Sequence, residues 1–356
     1  MSAQRVVVAM SGGVDSSVAA ALLQDQGFEV IGITMQIWDG AQDVGGCCGL
    51  ASIDDAKRVA EKLAIPHYVL NFRDVFREKV IADFCNEYQQ GRTPNPCIRC
   101  NQYIKFEHLL KRAQQLDAAY IATGHYARIE FDGRRKRYLL KKGLDTQKDQ
   151  SYVLYTMTQE QLKYTLLPLG ELTKQKVRRI AKEKKLAVAD KPDSQEICFV
   201  PDNDYGRFLK EYNSVETKPG PIVNTEGKVI GEHKGITHYT IGQRKGLGIA
   251  DKQPLYVTAI NKEENTIVAG KKEQAFRQEL LAEDLNLIAL GELNGSLKGQ
   301  VQVRYKHPAA AAVILPQKEN KVLIKFEQPQ FAVTPGQAAV FYQDDIVLGG
   351  GTIATK

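Results

Sequence analysis

Two thiols stand three residues apart, behind a pair of prolines, in Gly91-Arg92-Thr93-Pro94-Asn95-Pro96-Cys97-Ile98-Arg99-Cys100-Asn101. Two prolines in three residues rule out helix and hold the loop stiffly, which suits a site that presents sulfur at a fixed point. In an α/β protein a CxxC reads as a redox pair, as half of a metal site, or as coincidence, and nothing local chooses among the three. Cys198, between Ile197 and Phe199, reads on its own as a small buried hydrophobe on a strand. Arg99 and Arg92 lie close to Cys100 in sequence. Either could favour its thiolate, or could instead pair with a phosphate or sit in solvent.

The other chemical stretch is Val6-Val7-Val8-Ala9-Met10-Ser11-Gly12-Gly13-Val14-Asp15-Ser16-Ser17. A β-branched run followed by a helical pattern over Val14 to Leu23 leaves Ser11-Gly12-Gly13 in the turn between strand and helix, where an α/β sheet binds phosphate. The glycines allow close approach of an anion to the backbone, the amides of the helix start point outward, and Ser11, Ser16 and Ser17 add hydroxyls. No GxxxxGK[ST] Walker loop is present. The SGGVDS turn resembles the pyrophosphate loop of the ATP-pyrophosphatase (PP-loop) superfamily. The resemblance implies cleavage of ATP between its α and β phosphates, with Asp15 near a Mg-pyrophosphate and AMP passed to an oxygen; it leaves open what is adenylated.

The elements that position these stretches alternate. Strands are expected at Val6 to Val8, Val30 to Trp38, His67 to Phe72 and Ala118 to Gly124. Helices are expected at Val14 to Leu23, at Ser52 to Leu63 with Ser52 as N-cap, at Asp74 to Gln90 and at Phe106 to Leu116. This alternation predicts a doubly wound parallel α/β sheet with a ligand site at the carboxyl ends of its strands. An Asp132-Gly133 turn marks a hairpin from Ile129 to Lys141, and Pro192 to Val200 reads as extended. After a last helix at Asp204 to Tyr212 the chain turns β-rich. We therefore expect a catalytic domain over 1–210, a small β-rich central domain over 211–274 and a C-terminal β-barrel over 275–356. The barrel would use strands at 285–290, 299–306, 310–315, 321–326, 338–342 and 346–353, after a short helix near Glu273 to Leu280. With 48 basic and 42 acidic residues among 356, the net charge of +6 suits a polyanionic partner without requiring one. The six cysteines, at 47, 48, 85, 97, 100 and 198, are too sparse for a secreted disulfide framework. No stretch approaches the ~20 apolar residues of a membrane span, so no membrane association and a cytoplasmic location are expected.

Several motifs at consistent spacing now make a closer likeness. AMSGGVDS at 9–16, GRTPNPCIRCN at 91–101, ATGHYAR at 122–128, KDQSYVL at 148–154, DSQEICFV at 193–200, GQRKGLG at 242–248 and RYKHP at 304–308 together resemble the bacterial tRNA-specific 2-thiouridylase family. That resemblance implies thiolation of uridine C2 at the wobble position of particular tRNAs. ATP adenylates the C2 oxygen, because AMP leaves where oxygen would not, and sulfur from a protein persulfide displaces it. By the resemblance, Cys198 carries the persulfide and Cys100 releases its sulfur, leaving a Cys100 to Cys198 disulfide that a reductant reopens. It also implies ATP with Mg against Ala9, Met10, Ser11, Gly12, Gly13, Val14, Asp15, Ser16, Met35 and Gly124. Contacts to the tRNA anticodon arm are implied for Asn95, Pro96, Cys97, His125, Lys148, Asp149, Gln150, Arg304, Tyr305 and Gln337. A sulfur donor, either a cysteine desulfurase or a relay protein, is implied as a second partner.

Position 97 departs from part of the family, where aspartate is a plausible proton-transfer group; cysteine is a weaker acid. Cys97, Cys100 and Cys198 could instead hold three irons of a [4Fe-4S] cluster. Cys47 and Cys48, in a Gly-rich loop, are adjacent and poorly suited to chelate one metal, while Cys85 follows the buried period of its helix. The basic run Arg134, Arg135, Lys136, Arg137, Lys141, Lys142 and Lys148, opposed only by Asp145, reads as a solvated hairpin or a phosphate-binding one. Lys174 to Lys185 reads as a solvated helix face. Two alternatives remain: another PP-loop ATP pyrophosphatase adenylating a small molecule, which leaves the cysteines unexplained, and a nonenzymatic RNA-binding or iron–sulfur protein, which leaves the pyrophosphate turn unexplained.

Overall fold

The computed structural model describes residues 3–38, 49–193, 197–200, 202, 204–213 and 218–355. The chain divides into two compact units, one of residues 1–81, 96–203 and 345–347, the other of 82–95, 204–344 and 348–356.

The first unit is built on a parallel sheet of β1 (Arg5–Ala9), β2 (Glu29–Gln36), β3 (His67–Asn71), β4 (Tyr120–Ala122) and, further along the chain, β7 (Thr165–Leu166), in the order β3-β2-β1-β4-β7. β1 lies at its centre, which explains why Val6, Val7 and Val8 are apolar without alternation: both faces are covered, and all three are buried. Val6 and Val8 pack with Val14, Val18 and Leu23 of helix α1 (Val14–Asp25), with Ala56 and Val59 of α2 (Leu50–Leu63), and with Val177 and Ala181 of α3 (Lys174–Glu183). Between β4 and β7 the chain makes the expected hairpin of β5 (Ala127–Asp132) and β6 (Arg137–Lys142). Ile346 and Val347 pair with Lys141 and Leu140 of β6.

Three local expectations are corrected here. The N-cap of α2 is Gly49, one turn ahead of Ser52, so Ser52 is a buried helical residue. The segment after Pro96 is helical from Pro96 itself: Pro96–Arg99 forms an α turn that runs into a π-helical stretch, Cys100–His108, and then the helix Leu109–Gln115. Proline fits the first helical position because its missing N–H has no intrahelical acceptor there; the two prolines introduce the helix instead of preventing it. Cys198 lies in a turn, not a strand, with the Val200 amide donating to the Ile197 carbonyl at 3.0 Å.

In the second unit, β8 (Gly220–Val223), β9 (Val229–His233), β10 (Tyr256–Asn261) and β11 (Thr266–Gly270) form a sheet in the order β10-β11-β8-β9. It closes over a core of Ile222, Ile236, Tyr239, Leu247, Val257 and Ile267. β12 (Phe276–Leu287), β13 (Leu297–Gln302), β14 (Ala310–Gln317), β15 (Lys321–Phe331), β16 (Ala338–Gln343) and β17 (Ile346–Ile353) follow in the order β12-β15-β14-β13-β16-β17, and β17 pairs back with β12, so the six strands close into a barrel. The expected helix near Glu273 is a single 3-10 turn, Lys272–Ala275, after which β12 already begins. β13 ends at Gln302, leaving Arg304 and Tyr305 in a turn where Lys306 takes positive φ.

Candidate active site: a phosphate turn and two cysteine segments

The turn from β1 into α1 is shaped by its glycines and serines. Gly12 takes φ +67°, and a Cβ there would lie 2.1 Å from the Ser52 carbonyl oxygen, so only glycine fits. Gly13 caps α1 with no side-chain hydrogen bond, which leaves the first amides of the helix available to an anion. The serines stiffen the turn from within. The Ser11 amide donates to Ser16 Oγ at 3.1 Å, and Ser16 and Ser17 hydroxyls donate to the Gly13 carbonyl at 3.2 and 2.8 Å. A Cβ on Gly124, just past β4, would approach the Asp15 carbonyl carbon and the Ser16 nitrogen to 2.7 Å, so its backbone lies directly on the start of α1. Ala9, Met10 and Val14 are buried beside the turn, and Met35 is half-buried near the carboxyl end of β2.

A charge network surrounds the turn, and most of it is absent from the sequence-based reading. Both carboxylate oxygens of Asp15 accept from Lys174 Nζ at 2.8 Å, and the Tyr126 hydroxyl donates to Asp15 Oδ1 at 2.7 Å. Lys174 also reaches Asp193 at 2.7 Å. Asp193 is paired in addition with Lys148 at 2.7 Å and Arg178 at 3.1 Å. Burial opposes the charge on Asp193, yet its bonds from Lys148 and Lys174 hold its carboxyl down to about 2. On the other side of the turn, Lys191 Nζ donates to the Gly12 carbonyl at 3.0 Å and to Asp55 at 2.6 Å. Lys174 is therefore no part of a solvated face: only 9% of it is exposed. A helix-wheel reading fails at this position because Lys174 is the first residue of α3, where its backbone amide donates to Asp145 at 2.9 Å and its side chain turns toward Asp15.

The residues expected to meet tRNA fall into two groups. Cys97 is exposed; Asn95, Lys148, Arg304 and Tyr305 are half-buried, and Pro96 is buried. The others hold local structure. His125 is buried against Phe106, hydrogen-bonded to Thr123 Oγ1 at 2.7 Å, and kept neutral well below its ordinary pKa by burial and by Lys105. Asp149 accepts from the Gly143 amide at 2.9 Å and from the Ser151 amide and hydroxyl at 3.1 and 2.8 Å. Gln150 Oε1 accepts from the Tyr126 amide at 3.0 Å. In the second unit, Gln337 is buried and donates to the Thr93 carbonyl at 2.7 Å.

Cys97 and Cys100 both belong to the helix that starts at Pro96, with Cys97 exposed and Cys100 half-buried. Cys198 is half-buried next to Phe199, whose ring packs on Phe76 at 5.7 Å and Trp38 at 6.5 Å. Among the described residues no group of three His, Cys, Asp or Glu side chains is placed to hold a metal ion. Cys47 and Cys48 lie outside the described residues. Burial pushes the Cys85 thiol up to about 11, as expected of a core cysteine. In the basic hairpin, Arg134, Arg135 and Lys136 are exposed at its tip, while Lys141 pairs with Glu130 at 3.0 Å and Arg128 with Asp345 at 2.6 Å. No helix among the described residues is long and apolar enough to cross a membrane.

Known proteins match this arrangement along the whole chain. Residues 4–202 match the family model described as the tRNA methyl transferase HUP domain, 206–271 the tRNA methyl transferase PRC-barrel domain, and 277–353 the aminomethyltransferase beta-barrel domain. The tRNA-specific 2-thiouridylase MnmA 1 of Thermoanaerobacter pseudethanolicus is 56% identical over 99% of this chain and 98% of its own length. The tRNA-specific 2-thiouridylase MnmA of Acetivibrio thermocellus is 55% identical over 99% of this chain and 100% of its own. Among solved structures, a 4-thiouridine synthetase–RNA complex with bound ATP aligns at a TM-score of 0.38 and 16% identity, over 56% of this chain and 46% of that one.

Proposed function

The chain belongs to the tRNA-specific 2-thiouridylase family of the PP-loop superfamily, and from that membership we propose that it is a tRNA-uridine 2-sulfurtransferase that turns the wobble uridine of particular tRNAs into 2-thiouridine. The family models carry methyl transferase in their descriptions, but methyl transfer has no use for a pyrophosphate turn or a set of cysteines. The observation that carries the reading is the presence, in one compact unit, of a glycine turn on a helix start with no side-chain cap and of the segments bearing Cys100 and Cys198.

In this reading the amides of Gly13 to Ser16 take the polyphosphate of ATP, the close approach at Gly12 and Gly124 leaves room for it, and Ala9, Met10, Val14 and Met35 form the apolar side of the nucleotide site. Asp15 would offer the turn's carboxylate to a Mg²⁺ carried by the triphosphate, which when bound would supply charge neutralisation for the departing pyrophosphate. The uridine must leave its stack to reach the α phosphate. Its C2 oxygen attacks there, pyrophosphate leaves, and AMP becomes the leaving group at C2. Cys100 thiolate then attacks the Cys198 sulfur of a Cys198 persulfide, the S–S bond of the persulfide breaks, and the released hydrosulfide displaces AMP.

Of the tRNA contacts, the accessible Asn95, Cys97, Lys148, Arg304 and Tyr305 touch RNA, with Tyr305 suited to stacking and Arg304 to phosphate. Buried Pro96, His125 and Gln337, together with half-buried Asp149 and Gln150, act by fixing the backbone near those contacts. The catalytic work falls to residues 1–210, with 211–274 and 275–356 serving RNA binding. A cysteine desulfurase or relay protein loads Cys198, and the protein works in the cytoplasm on the anticodon arm. Cys198→Ser tests the reading: thiolated tRNA formed at the normal rate from a desulfurase donor would remove the persulfide assignment, whereas loss of thiolation with pyrophosphate release retained supports it.

A further inference from the structure

We propose that Cys97 is a resolving cysteine that moves the disulfide left by sulfur transfer to the protein surface, so that a dithiol reductant reaches it without entering the uridine site. The inference rests on the proposed sulfur transfer and adds a step after it. Cys97 and Cys100 sit at i and i+3 where Pro96 opens the helix. That spacing puts their Cβ atoms about 5–6 Å apart on one helix face, close enough for a disulfide with a small local adjustment. Exposure separates the two: Cys97 is exposed, while Cys100 and Cys198 are half-buried. The helix changes to π-helical geometry at Cys100, a local widening that frequently marks functional sites.

The step is thiol–disulfide exchange. The Cys97 thiolate attacks Cys100 Sγ of the Cys100–Cys198 disulfide, a Cys97–Cys100 bond forms, the Cys100–Cys198 bond breaks, and Cys198 leaves as thiolate. No net electrons are used. Cys198 is then ready for the next sulfur, and the two electrons that close the cycle come from an external dithiol, which reduces the exposed Cys97 side.

The test loads the full-length protein with persulfide from a cysteine desulfurase and free cysteine, removes small thiols, and adds Mg·ATP and unmodified tRNA for one turnover. Acid quench, alkylation and non-reducing peptide mapping then show which cysteines are bonded. The proposal expects the larger share of intramolecular disulfide to be Cys97–Cys100, with Cys198 alkylated, and expects Cys100–Cys198 instead in Cys97→Ser. It also expects Cys97→Ser to lose at least about fivefold more in multiple turnover with a protein dithiol reductant than it loses in single turnover. A Cys100–Cys198 bond predominating in the unaltered protein, with Cys97 alkylated, overturns the resolving role and leaves the sulfur transfer intact. Absence of any Cys100–Cys198 bond in Cys97→Ser, despite thiolated product, removes the underlying sulfur-transfer reading and the resolving step with it.

Discussion

Lysines and arginines serve opposite purposes in two parts of the first unit. At the tip of the hairpin, Arg134, Arg135 and Lys136 face water; Asp132 accepts the Arg134 and Arg135 amides at 2.9 and 3.1 Å through one oxygen and pairs with the half-exposed Arg135 guanidinium at 3.6 Å through the other. Around the phosphate turn, Lys174 and Lys191 are each committed to a carboxylate and to the loop itself. The first group can give up water and counterions to a polyanion at little structural cost. The second cannot move without releasing Asp15 or the Gly12 carbonyl. Basic residues counted along a sequence say nothing of this difference, because it depends on which carboxylate the fold brings opposite.

The comparison predicts unequal effects of substitution. Gly12→Ala should be the most damaging, since its Cβ would meet the Ser52 carbonyl at 2.1 Å and its φ is positive. We expect at least about 2 kcal/mol of lost stability in urea unfolding and no measurable ATP binding by calorimetry. Lys174→Met should come next. It leaves Asp15 with only Tyr126 among the groups described above and removes one of the partners of Asp193. Removing one member of a buried pair costs about 3–5 kcal/mol, and partial exposure of both carboxylates reduces that to roughly 2 kcal/mol. Pyrophosphate release should fall by about a hundredfold or more, while Lys174→Arg should recover part of the stability. If Lys174→Met were neutral in both assays, the distinction between the two basic regions would fail.

Acid separates the regions without mutation. Against the opposing effect of burial, bonds from Lys148 and Lys174 hold the carboxyl of Asp193 down to about 2 in the folded protein, below the ordinary 3.8. A depressed folded value stabilises the fold above the unfolded pKa, and this contribution is lost as pH falls from about 4 through 2. The stability difference between the unaltered protein and Asp193→Asn should therefore be constant above pH ~5 and shrink below pH 4 in unfolding experiments. Alanine at Arg134 or Arg135 should change stability by less than about 0.5 kcal/mol and lower the salt dependence of tRNA binding by about one unit in the log–log slope per residue. The smallest structural effect is a contrast between thiols. Cys85, at about 11, is thiolate to only about one part in a thousand at pH 8 and should resist iodoacetamide in the native state, whereas exposed Cys97 should be alkylated.

The phosphate turn was legible in the sequence because everything it needs is local: a β-branched run, two glycines, and serines at the start of a helix. The parallel sheet followed from the same alternation, and the hairpin from Asp132-Gly133. The charge network was illegible for the opposite reason. Asp15 and Lys174 are far apart in sequence, as are Gly12 and Lys191, and these pairs meet only through packing of α3 and the segment after it. Lys174 carried one available signal, its place just after the helix-capping Thr173, where side chains point back past the helix start. The cysteine helix was misread because prolines were counted as breakers without asking which helical position they occupy. His125, Asp149 and Gln337 mark a further limit: a sequence names a residue, and only the fold shows which groups its side chain bonds.

Pyrophosphate release measured alongside 2-thiouridine in the same reaction tests the central claim most directly. With Mg·ATP, persulfide-loaded protein and unmodified tRNA, the account predicts pyrophosphate that appears only when the tRNA is present, one per 2-thiouridine found by nucleoside mass spectrometry, with both products lost in Asp15→Ala. Pyrophosphate released equally without tRNA, or 2-thiouridine formed without pyrophosphate, would contradict it.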